Sequence, residues 1–166
     1  MNGHVKRLAF GCLYLLCAHA WAWQGVVTHV SDGDTVWVRS VAGGHDYKVR
    51  LLGIDAPESC QLWGAQSRYA LHAAVFAQVV EVTGRQHDSY GRLLAQLSRQ
   101  GQDVGAWMVG QGYAWSYRYQ KQAGLYDVQQ AQAQSLRLGL FADSQAIQPR
   151  WFRKRFGSCY LSSPAG

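Results

Sequence analysis

Short segments rich in β-branched and aromatic residues, separated by turn signatures, constrain the fold of this chain most strongly. Two strands are predicted within residues 25–39, where the turn Ser31-Asp32-Gly33-Asp34 interrupts a series of valines. Further strands are predicted at 47–54, 79–83 and 93–98. A helix predicted over 63–78 separates the first three strands from the last two. This order favours an antiparallel α+β arrangement over alternating βαβ units.

Five strands of this length suit a small closed barrel. The five-stranded OB-fold barrel, an architecture that commonly binds nucleic acid, is the best candidate. Two more helices are predicted over 104–109 and 125–138, and Gly139 is the expected C-terminal cap of the second. The sequence therefore predicts an α+β fold, a five-stranded OB-fold β-barrel with about three α-helices.

The first 22 residues have the pattern of a secretory signal peptide. Lys6 and Arg7 precede the apolar run 8–17, and the small residues that follow allow cleavage after Ala20 or Ala22. The apolar run is shorter than the roughly 20 residues of a spanning helix, and an uncleaved anchor is the alternative. We expect an exported protein, periplasmic or extracellular, with no stable membrane association after signal removal.

The remaining chain is long enough for one domain, expected at 23–142, followed by a C-terminal tail at 143–166. A hydrophobic content of 48% excludes intrinsic disorder as the main state. In the full chain, Lys and Arg outnumber Asp and Glu by 16 to 10, which gives a pI near 9.3, and the excess persists without Lys6 and Arg7. The basic run Arg153-Lys154-Arg155 is compatible with phosphate contact, but a solvated tail is the favoured interpretation.

Cys60 and Cys159 are the two cysteines that remain after the signal peptide. An even pair in an oxidising compartment favours a disulfide. Two unpaired thiols are the alternative, because the sequence does not supply the Cα separation that a disulfide requires.

Three carboxylates follow strand ends and are candidates for a shared site. Asp34 lies just after the first turn, and Asp55 and Glu58 lie just after the third predicted strand, so a barrel would bring them together. Carboxylate and backbone oxygens suit a hard cation. Asp-Gly is also ordinary turn chemistry, and this simpler interpretation carries at least equal weight for Asp34 alone.

Arginines and aromatic residues near these carboxylates add phosphate chemistry. The guanidinium groups of Arg50 and Arg92 match phosphate oxygens bidentately, although surface exposure or pairing with a carboxylate is commoner for a lone Arg. Tyr117 and Tyr119 belong to an alternating aromatic segment that is suited either to base stacking or to strand packing on a core.

Four motifs in order resemble the thermonuclease (staphylococcal nuclease-like) family. They are Ser31-Asp-Gly-Asp-Thr-Val36, Arg50-Leu-Leu-Gly-Ile-Asp-Ala-Pro-Glu58, Asp88-Ser-Tyr-Gly-Arg92 and the pair Tyr117 and Tyr119. The resemblance runs from about residue 25 to 141. It implies an OB barrel with helices, in agreement with the strand count.

The resemblance also implies an activity: Ca²⁺-dependent hydrolysis of DNA and RNA with low sequence specificity, leaving 3′-phosphates. Single-stranded or locally unpaired nucleic acid is the expected partner, and the expected state is a monomer. The implied roles fall on nine residues: Asp34, Asp55 and the Ala56 carbonyl as Ca²⁺ ligands, Glu58 as general base, Arg50 and Arg92 on the phosphate, and Tyr90, Tyr117 and Tyr119 on the nucleotide.

Two departures from the family pattern qualify these roles. Ala56 stands where the best-known member has Thr, which keeps the carbonyl but removes a hydroxyl. Ser89 replaces a Lys, which weakens the expected contact to a terminal phosphate. A noncatalytic OB-fold module that binds nucleic acid or a protein is the alternative function.

Overall fold

A computed structural model describes residues 22–120 and 122–159 of the 166-residue chain. Except for Ala22, the predicted signal peptide lies outside the described residues. None of the helices within the described ranges is long and apolar enough to span a membrane.

The strands follow the predicted order and close into a barrel. They are β1 (Ala22–Val30), β2 (Thr35–Ser40), β3 (Asp46–Leu51), β4 (Ile54–Asp55), β5 (Val79–His87), β6 (Leu93–Arg99), β7 (Gln102–Asp103) and β8 (Trp115–Ser116). The main sheet has the order β3-β2-β1-β5-β6-β7, and β3 also pairs in parallel with β6. This last pairing closes β1, β2, β3, β5 and β6 into the five-stranded barrel that the sequence predicts.

Alternation along the strands fills the barrel with aliphatic side chains. On β2 and β3, for example, Val36, Val38, Val49 and Leu51 are buried. Alternate residues of a strand lie on the same face, so these side chains are buried together and their apolar area is removed from water. Leu71 belongs to the same core cluster and comes from the helix that follows β4.

The described residues form four α-helices rather than about three. They are α1 (Gly64–Val75), α2 (Val104–Gly110), α3 (Asp127–Ser135) and α4 (Pro149–Phe156), and a 3₁₀ turn spans Gly139–Ala142. The helix α4 lies in the segment expected to be a tail. Pro149 at its first turn suits a helix start, because the missing N–H needs no partner there.

The third predicted strand is interrupted where the sequence suggested continuity. Gly53 has a φ of +77°, and a Cβ at this position would lie 2.8 Å from the Tyr126 ring. The chain turns there, ends β3 at Leu51 and resumes as the short β4, which pairs with β8. The turn therefore leads directly into β4, whose second residue is Asp55.

Two leucines provide a test of the core. Leu71 is fully buried on α1, whereas Leu136 just after α3 is 59% exposed. We expect Leu71→Ala to lower the free energy of unfolding by about 2–5 kcal/mol, because it removes buried methyl groups and leaves a cavity. The matched change Leu136→Ala should cost well under about 1 kcal/mol. Urea unfolding of both variants measures the difference, and equal losses would contradict this assignment of the core.

Candidate functional site

Asp34 lies at the turn between β1 and β2 and is buried, with 7% of its surface exposed. Its Oδ2 accepts the backbone N–H of Ala56 at 2.9 Å, and its Oδ1 accepts the Thr35 hydroxyl at 3.0 Å. The Asp32 carboxylate in turn accepts the Asp34 backbone N–H at 3.0 Å. The first motif is therefore joined directly to the second through the contact between Asp34 and Ala56.

Arg50 on β3 connects the two buried aspartates. Its Nε lies 3.0 Å from Asp34 Oδ1, and its Nη2 lies 3.4 Å from Asp55 Oδ1. Its Nη1 donates to the backbone carbonyls of Leu51 and Ile54 at 2.8 and 2.9 Å. One guanidinium thus fixes both carboxylates and the turn between β3 and β4.

Burial and neighbouring charges set the protonation of these acids. Burial raises the pKa of Asp55, which is 5% exposed, and the guanidinium groups of Arg153 and Arg50 partly offset this rise. Burial and then the nearby Asp34 carboxylate raise the pKa of Asp32 to about 7. Asp32 reads as an ordinary turn residue in the sequence, because nothing in the turn pattern reveals its half-buried position.

These groups line a cavity of about 700 Å³ at the end of the barrel. Its charged lining residues are Asp32, Asp34, Asp55 and Glu58 on the acidic side and Lys48, Arg50, Arg92 and Arg153 on the basic side. The four acids are therefore matched by four basic groups. Carboxylates suit a hard cation and guanidinium groups suit a phosphate, and the cavity contains both kinds of group.

The candidate nucleotide contacts divide into two groups. Tyr90 and Tyr117 line the cavity and are 82% and 44% exposed, so their rings are accessible. Tyr119 is 62% exposed and lies outside the set of residues that line the cavity. The alternating aromatic segment forms strand structure only at Trp115–Ser116, and of the two tyrosines that follow, Tyr117 lines the cavity and Tyr119 does not.

Arg92 is paired with a carboxylate and also lines the cavity. Its Nε lies 2.7 Å from Asp88 Oδ2, and Asp88 Oδ1 also accepts the backbone N–H groups of Tyr90 and Arg92. Its Nη1 lies 3.5 Å from the Thr35 hydroxyl, and its guanidinium lies 5.5 Å from the centre of the Tyr90 ring. The Asp88 contacts anchor the turn and aim the other edge of the guanidinium into the cavity.

A third arginine, Arg153 on α4, enters the site, although the sequence favoured a solvated tail. Its Nη1 lies 2.6 Å from Glu58 Oε1 and 3.2 Å from Asp55 Oδ1, and its Nη2 lies 3.2 Å from Asp55 Oδ2. The neighbouring Lys154 and Arg155 are exposed, as expected. Successive residues of a helix point in different directions, so only Arg153 of the basic run contacts the acids. The sequence alone did not indicate which of the three residues this would be.

The loop after Glu58 holds the C-terminal segment at three points. A disulfide joins Cys60 to Cys159, with a Cα separation of 5.6 Å. The side-chain amide of Gln61 donates to the Ile147 carbonyl at 2.6 Å, and the Trp63 indole N–H donates to Asp143 at 3.1 Å. These contacts fix the path of the chain into α4 and thus the position of Arg153.

The donor atoms are of the kind that a hard cation binds, with two qualifications. Asp34 and Asp55 supply carboxylate oxygens, and the Ala56 carbonyl follows directly. Within residues 22–120 and 122–159, no group of three or more His, Cys, Asp or Glu side chains is arranged to hold a metal. Both oxygens of Asp55 are engaged by Arg153, so this carboxylate fits a cation when the guanidinium moves aside.

The chain is similar in sequence to known nucleases. A family model described as "Staphylococcal nuclease homologue" matches residues 48–143. The chain is 36% identical over 163 residues to a micrococcal nuclease from Shigella flexneri, which covers 90% of this chain and 92% of that protein. It is also 36% identical over 129 residues to an endonuclease of Haemophilus influenzae, covering 78% and 72% of the two chains.

A plant relative covers only part of a longer protein. The probable staphylococcal-like nuclease CAN1 of Oryza sativa subsp. japonica is 37% identical over 114 residues, which is 68% of this chain and 34% of that protein.

The disulfide closes a long loop and should stabilise the fold. Because its cysteines are 99 residues apart, we expect the Cys60→Ser, Cys159→Ser double variant to lose about 2–4 kcal/mol of unfolding free energy. Urea unfolding with and without reductant measures this. Reductant should lower the stability of the parent protein and leave the double variant unchanged, and a double variant as stable as the oxidised parent would refute the expectation.

Proposed function

This chain belongs to the staphylococcal nuclease family and is a nuclease of that kind, and we propose that it is a Ca²⁺-dependent endonuclease. The observation that carries the proposal is the junction of Asp34, Asp55, Glu58 and Arg50 in one cavity. Carboxylates and guanidinium groups in the same cavity are what phosphodiester hydrolysis needs, since the reaction combines a water nucleophile with an anionic ester.

Asp34, Asp55 and the carbonyl of Ala56 would hold the calcium ion. When bound, the ion neutralises charge on a phosphoryl oxygen. Glu58 lies beside these ligands and lines the same cavity. Its carboxylate would accept the proton of the attacking water, which makes it the proposed general base.

Arg50 and Arg92 would hold the phosphate and stabilise its charge as phosphorus becomes five-coordinate. Four of the five N–H groups of Arg50 face Asp34, Asp55 or the two carbonyls, which leaves one Nη2 proton for a phosphate oxygen. Arg92 presents the edge opposite its Asp88 contact. Donors fixed in this way need little reorganisation when charge develops.

The size of the required effect explains why no single group is enough. A positioned general base gives about 10²–10⁴, or roughly 3–5 kcal/mol. Slow uncatalysed hydrolyses need on the order of 20 kcal/mol of barrier lowering. The cation and the two arginines must therefore supply most of the remainder.

We propose both DNA and RNA as substrates, cut with low sequence specificity and preferably where strands are unpaired. The exposed rings of Tyr90 and Tyr117 at the cavity support this, because stacking on an aromatic ring tolerates every base. Tyr119, farther out, would contact the strand beyond the scissile bond. We further propose that the protein acts outside the cytoplasm, which the N-terminal signal pattern supports, and that it acts as a monomer.

The noncatalytic OB-fold module is the competing interpretation of the same fold. A module that only binds a nucleic acid needs positive charge and aromatic rings but no buried acids. The burial of Asp34 and Asp55 beside Arg50 favours catalysis, because buried carboxylates are costly to retain without a role.

Two glutamates allow a matched test of the general base. We expect Glu58→Gln to lower the rate of single-stranded DNA cleavage by about 10²–10⁴, because the isosteric amide cannot accept a proton. The control Glu81→Gln removes the same charge from an exposed residue of β5 and should leave the rate unchanged.

The same assay should show no cleavage in the presence of a chelator and full recovery on adding Ca²⁺. Equal cleavage by the parent and Glu58→Gln would refute the assignment of Glu58. Binding of the nucleic acid without cleavage by either protein would favour the noncatalytic module.

The proposed bond cleavage also fixes the product ends. Breaking the bond between phosphorus and the 5′ oxygen leaves a 3′-phosphate and a free 5′-hydroxyl. We expect polynucleotide kinase to label the products directly, without prior phosphatase treatment. Labelling that depends on phosphatase would show 5′-phosphate ends and contradict the proposed chemistry.

A further inference from the structure

We propose that Arg153 is an internal cation that competes with the divalent metal for Asp55 while it pairs with Glu58, so that α4 sets the metal concentration at which the site works. This inference rests on the proposed Ca²⁺ dependence. It assigns a regulatory role to a residue outside the four motifs and to the helix that carries it.

The contacts of Arg153 are those of a cation held by two acids. Its two Nη atoms meet the two oxygens of Asp55 at 3.2 Å each, and Nη1 also meets Glu58 at 2.6 Å. Such fork-shaped pairing is among the stronger charge-assisted arrangements. A proposed metal ligand and the proposed general base are therefore joined by one guanidinium.

Asp55 cannot offer both oxygens to a metal while this pairing lasts. Arg50 contacts Oδ1 as well, so three contacts from two arginines already surround the carboxylate. A divalent ion arriving there meets the charge of Arg153 within contact distance of the same acid. Removing one unit charge at such a distance favours cation binding by at least about tenfold, even with substantial solvent screening.

The attachment of α4 makes the competition effective. The disulfide between Cys60 and Cys159, together with the Gln61 contact to Ile147, keeps α4 beside the loop that carries Glu58. A tethered group competes at a high effective concentration without any change in its intrinsic affinity. At the same time the Arg153 side chain is 37% exposed, so solvent is available to it when it leaves the acids.

Calcium titration calorimetry on the full mature protein tests the inference with a matched pair of variants. Arg153→Gln should bind Ca²⁺ at least about tenfold more tightly than the parent. Arg155→Gln makes the same charge change on an exposed residue of the same helix, whose guanidinium lies 5.2 Å from the Phe156 ring. This control should change the Ca²⁺ dissociation constant by less than about twofold.

Two further variants keep the test decisive if Arg153→Gln folds poorly. Arg153→Lys keeps the charge but loses the fork, and should bind Ca²⁺ with intermediate affinity. The Cys60→Ser, Cys159→Ser double variant keeps Arg153 but loses the covalent tether, and should also bind Ca²⁺ more tightly than the oxidised parent. Thermal unfolding gives a second readout, since Ca²⁺ should raise the Tm of Arg153→Gln more than that of the parent.

The outcomes separate this inference from the proposed function. Ca²⁺ binding that is unchanged or weaker in Arg153→Gln would overturn the inference and leave the Ca²⁺ dependence intact. Absence of Ca²⁺ binding in the parent and in every variant, together with cleavage that resists a chelator, would overturn both. Binding that is detected only after Arg153 is replaced would support competition.

Discussion

The geometry of the site depends on the contacts of the Arg50 guanidinium. It faces Asp34 and Asp55 and donates to the carbonyls of Leu51 and Ile54. The barrel supplies Arg50 on a strand that is hydrogen bonded on both sides, to β2 and β6. The barrel strand β3 therefore carries the charged side chain that holds the turn between β3 and β4. Without that charge, the buried Asp34 would lose the guanidinium that contacts it, and a buried carboxylate without a partner is strongly unfavourable.

The C-terminal segment also helps to balance the negative charge of the buried acids. Four acids and four bases line the cavity, and Arg153 comes from a helix beyond the region matched by the family model. The barrel thus receives part of its charge balance from the C-terminal helix α4. The attachment of that helix beside the loop that carries Glu58 is what brings Arg153 to the acids.

Much of the fold follows from local sequence patterns, and the exceptions have physical causes. Alternating valines and Asp-Gly turns identify the barrel strands, because burial on one face requires a period of two. The interruption at Gly53 was missed, since a single glycine within an apolar run does not reveal the Tyr126 ring against it. The helix α4 was missed because it has only eight residues and only Pro149 is buried.

Site residues that lie close together in the sequence were predictable, whereas a residue from a distant segment was not. Asp34, Arg50, Asp55, Ala56 and Glu58 belong to two motifs, and the structure brings them together, although their roles stay predictions. Arg153 reaches Glu58 across 95 positions of sequence. Only the path of the chain through Ile147 and Cys159 decides that this arginine, rather than Lys154 or Arg155, meets the acids.

The closure between β3 and β6 has a consequence for how the protein behaves among other chains. Val49, Arg50 and Leu51 pair with Leu93, Leu94 and Ala95, so their backbone N–H and C=O groups already have partners. An open sheet would present these groups as an unpaired edge, a template onto which a strand from a neighbouring molecule adds. The topology that builds the cavity therefore also guards the molecule against strand-by-strand aggregation at this seam.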